Sequence, residues 1–314
     1  MSAVTSYLND ACRKFGDGWN RFWFTPSDPL PLGAMRVAVG GIALALVGSM
    51  SFSLLRLFGP NGFISVEMVK TLYPVPNSYR WSYLDYATDA ASLQGLHYFG
   101  VAVLLAYTLG LFTNVTKFLA PIVFLSYFHR GPMLTGVGEP IVAMLLVYLA
   151  VGPCGATLSL DAVRRRAKGG FALVPQTFTA MLSIRLIQVH IVLIHFMMFC
   201  ATLQDNVIWW NGTAVWWLIA RPESSLLDMY GLYRYPYVIN IWTTALILYY
   251  AAFAFFVWNR TARPALVVWS ALTWASIALL TGLIPFCAAM FVGTWAFLSA
   301  DQWSRLLRRT PAAA

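Results

Sequence analysis

RLIQVHIVLIHFMMFCATLQDNVIWWNGTAVWW (185–217) decides how this chain is read. An apolar helix carrying His190 and His195 runs through a short polar turn into a Trp-rich amphipathic segment. A soluble domain rarely buries so long a run with so few charges, and a simple anchor has no use for two histidines. The stretch points to a membrane protein with an internal polar position. The two histidines are five residues apart, which on a helix sets them about 140° from each other. They therefore cannot ligate one metal together, and each is expected to hydrogen-bond a neighbouring helix.

The composition agrees. Of 314 residues 59% are hydrophobic and only 11% charged, against about 25% charged in soluble domains. A membrane helix needs about 20 mostly apolar residues. By that rule the chain has roughly eight candidate spans, at 33–55, 96–113, 115–129, 137–153, 182–204, 237–258, 264–282 and 284–300. Gly110, Asn114 and Pro121 blur the join between the second and third. The expected fold is all-α, a polytopic integral membrane helical bundle. Residues 1–24 read as an interfacial amphipathic segment, 25–303 as the membrane domain and 304–314 as a basic tail.

Charge distribution orients the bundle. Arg13, Lys14 and Arg21 precede the first span. Arg164, Arg165, Arg166 and Lys168 follow the fourth, Arg260 and Arg263 the sixth, and Arg305, Arg308 and Arg309 the eighth. With eight spans these groups share one side, which the positive-inside rule makes cytoplasmic, together with both termini. The opposite side receives 56–95 and 205–236 with Asp85, Asp89, Asp205, Glu223 and Asp228. The net charge of +9 is thus a property of the cytoplasmic loops. Nucleic-acid binding is not expected, since the basic residues form no single aromatic-laced patch. The polar start lacks the short apolar core and small-residue site of a secretory signal. Arg36 and Arg185, near the cytoplasmic ends of their spans, are expected to snorkel.

Metal and nucleophile motifs are lacking: the sequence has no CxxC, HExxH or GxSxG. Cys12, Cys154, Cys200 and Cys287 read as free thiols, although Cys200 and Cys287 fall toward the same membrane face. Ionisable groups in spans cost on the order of 2.5–3.5 kcal/mol and are functional candidates by default. His129 and Arg130 end the third span and Glu139 opens the fourth. With His195 they are read as lining an outward-facing cavity that binds a ligand, with Trp209, Trp210 and Asn211 at its rim. The plainer alternative is an interfacial loop facing water and headgroups. For His97, which opens the second span, that plainer reading is preferred.

Several stretches together resemble the HTTM (horizontally transferred transmembrane) family, bacterial relatives of vitamin K-dependent γ-glutamyl carboxylase. They are RFWFTPSDPLPLGAMRVAVGG (21–41), FGPNGFIS (58–65), LGLFTNVT (109–116), SYFHRGP (126–132), VGPCGATLSLDA (151–162), SIRLIQVHIVLIH (183–195) and WWNGTAVW (209–216). The resemblance runs from about residue 19 to 300, in the family's order. It implies a helical membrane domain in a bacterial cytoplasmic membrane with its chemistry on the extracytoplasmic side, using reduced vitamin K or another quinone. The family's catalytic base is a lysine near the outer end of the helix quoted above. Here that position is Thr202 or Leu203, neither of which can serve as the base. His129 matches the family's histidine at the end of the third span. Two later polar positions of the family fall near Tyr250 and Trp274.

Carboxylation is therefore not expected of this chain. The preferred reading is a membrane partner, assembly factor or binder of a lipophilic small molecule. It would work with the bilayer and with a membrane or extracytoplasmic protein. The alternative is a quinone-dependent membrane enzyme in which His129, His195 or Asp205 replaces the lysine.

Overall fold

Helix starts and stops follow local chemistry that the sequence carries openly. The computed structural model describes residues 2–73, 80–169, 174–204, 207–220, 227 and 229–306. Among them the helices are α1 (Ser2–Phe24), α2 (Leu30–Ser49), α3 (Leu54–Phe58), α4 (Val66–Leu72), α5 (Ala90–Leu109), α6 (Thr113–Arg130), α7 (Glu139–Val151), α8 (Leu160–Ala167), α9 (Phe178–Gln204), α10 (Ala214–Ile219), α11 (Pro236–Phe256), α12 (Arg263–Thr281), α13 (Ile284–Thr294) and α14 (Ala300–Leu306). No strand forms among the described residues; one isolated bridge joins Ser27 to Thr177. A proline sits in the first turn of α2, α7, α11, α12 and α13, where its missing N–H costs no intrahelical bond. Asp89 caps α5 by accepting from Ser92 N at 2.6 Å, and Ser92 Oγ accepts from Asp89 N in return, a reciprocal capping box.

The join between α5 and α6 is equally specific. Gly110 ends α5 at φ +74°, a conformation glycine adopts without a Cβ penalty. Phe112 follows in the left-handed region at φ 48°. This turns the N–H groups of Phe112 and Thr113 toward the Asp161 carboxylate, at 3.1 and 2.7 Å. The first turn of α6 is thereby capped by a residue 48 positions away, and the negative charge sits where the helix dipole favours it.

A helix lies at each of the eight apolar runs read from the sequence. Five are long and apolar enough to cross a membrane: α2 with its 3₁₀ continuation to Phe52, α5, α9, α11 and α12. α7 and α13 have 13 and 11 residues, so they rise only about 20 and 17 Å against a hydrocarbon core of about 30 Å. α2 packs on α5, α7 and α13, and α9 packs on α7, α11 and α13. One continuous core results, with Met35, Val39, Leu145, Leu149, Ile187 and Ile191 fully enclosed. Apolar side chains also face outward along the long helices: Leu105, Ile122, Met197, Leu248, Phe255 and Leu272 are all exposed. In water such a belt would be a large unpaid apolar surface; in lipid it is the normal exterior. The chain is an all-helical integral membrane protein.

One expectation about arginines needs correction. Arg36 does not snorkel. It is fully buried, with Nε donating to Cys154 O at 3.1 Å, Nη2 to Leu158 O at 2.6 Å and Nη1 to the carbonyls of Tyr107 and Thr108. The end of α5 leaves carbonyls without intrahelical partners, and a guanidinium with five donors satisfies several at once. Arg185 is likewise engaged. Its Nε donates to Phe22 O at 3.0 Å, Nη1 donates to Gln188 Oε1 at 2.8 Å, and the guanidinium lies 4.2 Å over the Phe22 ring. That contact ties the last turn of α1 to α9, so the amphipathic segment ends docked on the bundle.

Candidate functional site

His195 sits at the centre of an aromatic box. Its ring stacks on Phe253 with centroids 4.0 Å apart and meets Tyr249, Tyr250 and Trp274 edge-on at 5.4, 6.5 and 5.8 Å. Nδ1 lies 2.7 Å from Ile191 O and Nε2 lies 2.9 Å from Tyr249 Oη. A carbonyl only accepts, so Nδ1 carries the proton and Nε2 accepts from the Tyr249 hydroxyl. Both nitrogens are committed and the ring is fully buried. Tyr250 and Trp274 thus meet at this histidine. Trp209 touches Tyr250 at 6.5 Å, so aromatic contacts lead from the Trp-rich segment to His195. His190 points elsewhere, to Tyr148 Oη at 2.8 Å, as the five-residue spacing requires.

The His129–Glu139 region divides rather than converging. His129 Nδ1 donates to Trp81 O at 2.9 Å. Arg130, on the next turn direction of α6, is buried; its Nε pairs with Asp85 Oδ1 at 3.4 Å, Nη2 donates to Phe58 O at 3.3 Å, and the Phe58 ring lies 5.6 Å below the guanidinium. Arg130 Nη1 has no hydrogen-bond partner. Arg130 as a residue is on the lining of a cavity of about 200 Å³ whose walls include Phe58, Leu84 and Leu93, with Glu67 and Asp89 also on its lining. Glu139 lines a different, tighter cavity with Leu46, Met50, Tyr127 and Thr135. None of these residues shares a hydrogen bond or ring contact with His195. Trp210 and Asn211 are exposed. Asp205 lies outside the described residues, as do Glu223 and Asp228.

Asp85 was not singled out in the sequence, yet it is the counter-ion of Arg130. Burial pushes its carboxyl above the ordinary range, while Arg130, Lys70 and His129 pull it back. No local signal pairs residues 45 positions apart, so sequence reasoning had no means of finding it.

His97 corrects a second expectation. It does not face water or headgroups. It is fully buried, with Nε2 2.7 Å from Ser51 Oγ and Nδ1 2.8 Å from Tyr127 Oη. Tyr83 Oη reaches Leu96 O at 3.4 Å. Gly100 makes room for this cluster, because a Cβ there would lie 3.3 Å from the Tyr127 hydroxyl and closer still to that of Tyr83. The histidine knits α2, α5 and α6 together at one end of the bundle. Ser51 and Tyr127 carried no sequence signal of this role.

Thr202 is buried, and its Oγ1 donates to Phe199 O at 2.7 Å; Leu203 is exposed. The outer end of α9 therefore holds a hydroxyl tied back to its own helix and an exposed apolar side chain, and neither residue offers an ionisable base. All four cysteines are free. No cluster of three or more His, Cys, Asp or Glu residues suited to a metal occurs among the described residues. No family model, curated protein or solved structure matches the chain.

Proposed function

We propose that this is an HTTM-like protein of a bacterial cytoplasmic membrane. It crosses the bilayer eight times with both termini inside, and it binds a small lipophilic molecule rather than carboxylating glutamate. The observation that carries the binding reading is the Arg130 cavity. A buried guanidinium N–H without a partner is costly, and a ligand oxygen would satisfy it. Phe58, Leu84 and Leu93 give the cavity an apolar wall beside a polar one from Ser65, Glu67, Thr88 and Asp89, which suits an amphipathic body. The matching ligand therefore has a carbonyl, phenol or carboxylate oxygen at one end and an apolar remainder.

Native mass spectrometry of the purified protein tests this first, by detecting a retained lipophilic molecule. Thermal-shift titration with quinones and with medium-chain carboxylates follows. We expect at least one class to raise the melting temperature, and Leu93→Trp, which fills the cavity, to abolish the shift. Equal shifts in the wild type and the filled variant, or none in either, would overturn the reading. Incubation with reduced vitamin K, a glutamate-containing peptide and labelled CO₂ should give no incorporation above a boiled control. The missing lysine motivates that expectation, and incorporation would refute it.

A further inference from the structure

The face of the protein that carries α8 holds more positive than negative charge among the described residues. Arg164, Arg165, Arg166 and Lys168 lie within five positions. Among the described residues none of them has a carboxylate at ion-pairing distance; the pairs that form are Arg13–Asp10 and Arg130–Asp85. Asp161 is the one acidic residue beside them in the hollow lined by Thr113, Asn114, Arg164, Arg165 and Lys168, of about 360 Å³. Its oxygens are already taken by Phe112 N, Thr113 N and Thr113 Oγ1. Arg165 is held in place by the carbonyls of Gly155 and Ala156, at 3.3 and 3.1 Å.

The other flank of α8 is apolar. A groove of about 400 Å³ runs between α8 and the ends of α2 and α5, lined by Val37, Leu109, Leu158, Leu160 and Val163, with Arg166 at its edge. Val37, Leu109, Leu160 and Val163 are exposed, and Val37 and Leu109 belong to membrane-crossing helices. The groove therefore opens at bilayer level, where apolar side chains meet acyl chains and an arginine meets phosphate.

We propose that this groove is a binding site for an anionic phospholipid. One acyl chain lies along Val37, Leu109 and Val163, and the phosphate sits against Arg166. The charge of Arg164, Arg165 and Lys168 on the opposite flank selects an anionic over a zwitterionic headgroup. A free phosphate would use the arginines but not the groove, whereas a phospholipid uses both.

The test is lipid titration of the full-length protein in detergent, followed by native mass spectrometry. The probes are phosphatidylglycerol, phosphatidylcholine and inorganic phosphate. Juxtamembrane basic residues are worth about fivefold each in affinity for anionic lipid, so phosphatidylglycerol should bind at least that much tighter than phosphatidylcholine. Arg166→Gln and Val163→Asp should each weaken it by about fivefold or more, with melting temperatures checked in lipid-free detergent. Arg164→Gln combined with Lys168→Gln should erase most of the headgroup preference while leaving phosphatidylcholine binding unchanged. Equal affinity for the two lipids would overturn the proposal. So would displacement of phosphatidylglycerol by millimolar inorganic phosphate, or indifference to both Arg166→Gln and Val163→Asp. None of these outcomes bears on the Arg130 cavity, so the two readings stand or fall separately.

Discussion

At the scale of single residues, three of the buried ionisable groups inside this bundle, His97, His195 and Arg36, are committed to partners. His195 and His97 each spend both ring nitrogens on neighbours. Arg36 spends its guanidinium on four carbonyls. Arg130 alone among these four has side-chain nitrogens, Nε and Nη1, without a hydrogen-bond partner. Removing a group that satisfies buried acceptors leaves each of them with a cost of about 1–3 kcal/mol. Arg36→Leu should therefore destabilise the protein by at least about 2 kcal/mol, read as a clear drop in melting temperature in detergent. A melting temperature equal to the wild type would show that water reaches those carbonyls. Tyr249→Phe removes only the donor to His195 Nε2 and keeps the ring contacts. It should cost about 1 kcal/mol, measured the same way.

At the scale of elements, the α5–α6–α8 junction depends on one carboxylate. Burial raises the Asp161 carboxyl, but the amides of Thr113 and Phe112, the Thr113 hydroxyl and the nearby Arg164 charge outweigh it, and the net shift is downward. A depressed carboxyl contributes stability that is fully present above its unfolded value, about 3.9, and is lost as pH falls through the folded value. Stability of the wild type should therefore decline below about pH 4. Asp161→Asn should be less stable at neutral pH, by about 1 kcal/mol for a weakened cap, and should show a shallower acid decline. Unfolding followed from pH 3 to 7 reads both; identical acid limbs would remove Asp161 from the account. The same element shows why eight apolar runs gave only five helices that meet the length and hydropathy of a span. Of the other three, α6 has 18 residues but carries Lys117, His129 and Arg130, and α7 and α13 are short, opened at Pro140 and Pro285 and closed by extended or 3₁₀ backbone.

At the scale of the molecule, the question is which face lies inside. The eight-crossing arrangement puts the 164–168 loop and residue 223 on opposite sides of the membrane. In a background with all four native cysteines replaced by serine, single cysteines at position 166 and at position 223 should differ in labelling by an impermeant maleimide on intact cells. Position 223 should react and position 166 should not. Equal labelling would reject the arrangement, and inverted labelling would reverse it.

The sequence by itself determined that the chain is helical and membrane-embedded, and where its apolar helices lie. These are local properties: run length, composition and capping residues. It also placed His190 and His195 on different faces, because helix periodicity alone decides that. Only the tertiary structure decided what each polar group touches. Arg130 finds Asp85, His97 finds Ser51 and Tyr127, and Asp161 caps a helix 48 residues away. The expected patch at His129, Arg130 and Glu139 was drawn from shared depth in the membrane. Depth says nothing of direction around a helix or across a turn. In the fold His129 and Arg130 both lie close enough to Asp85 to act on its carboxyl, while Glu139 lines a different cavity.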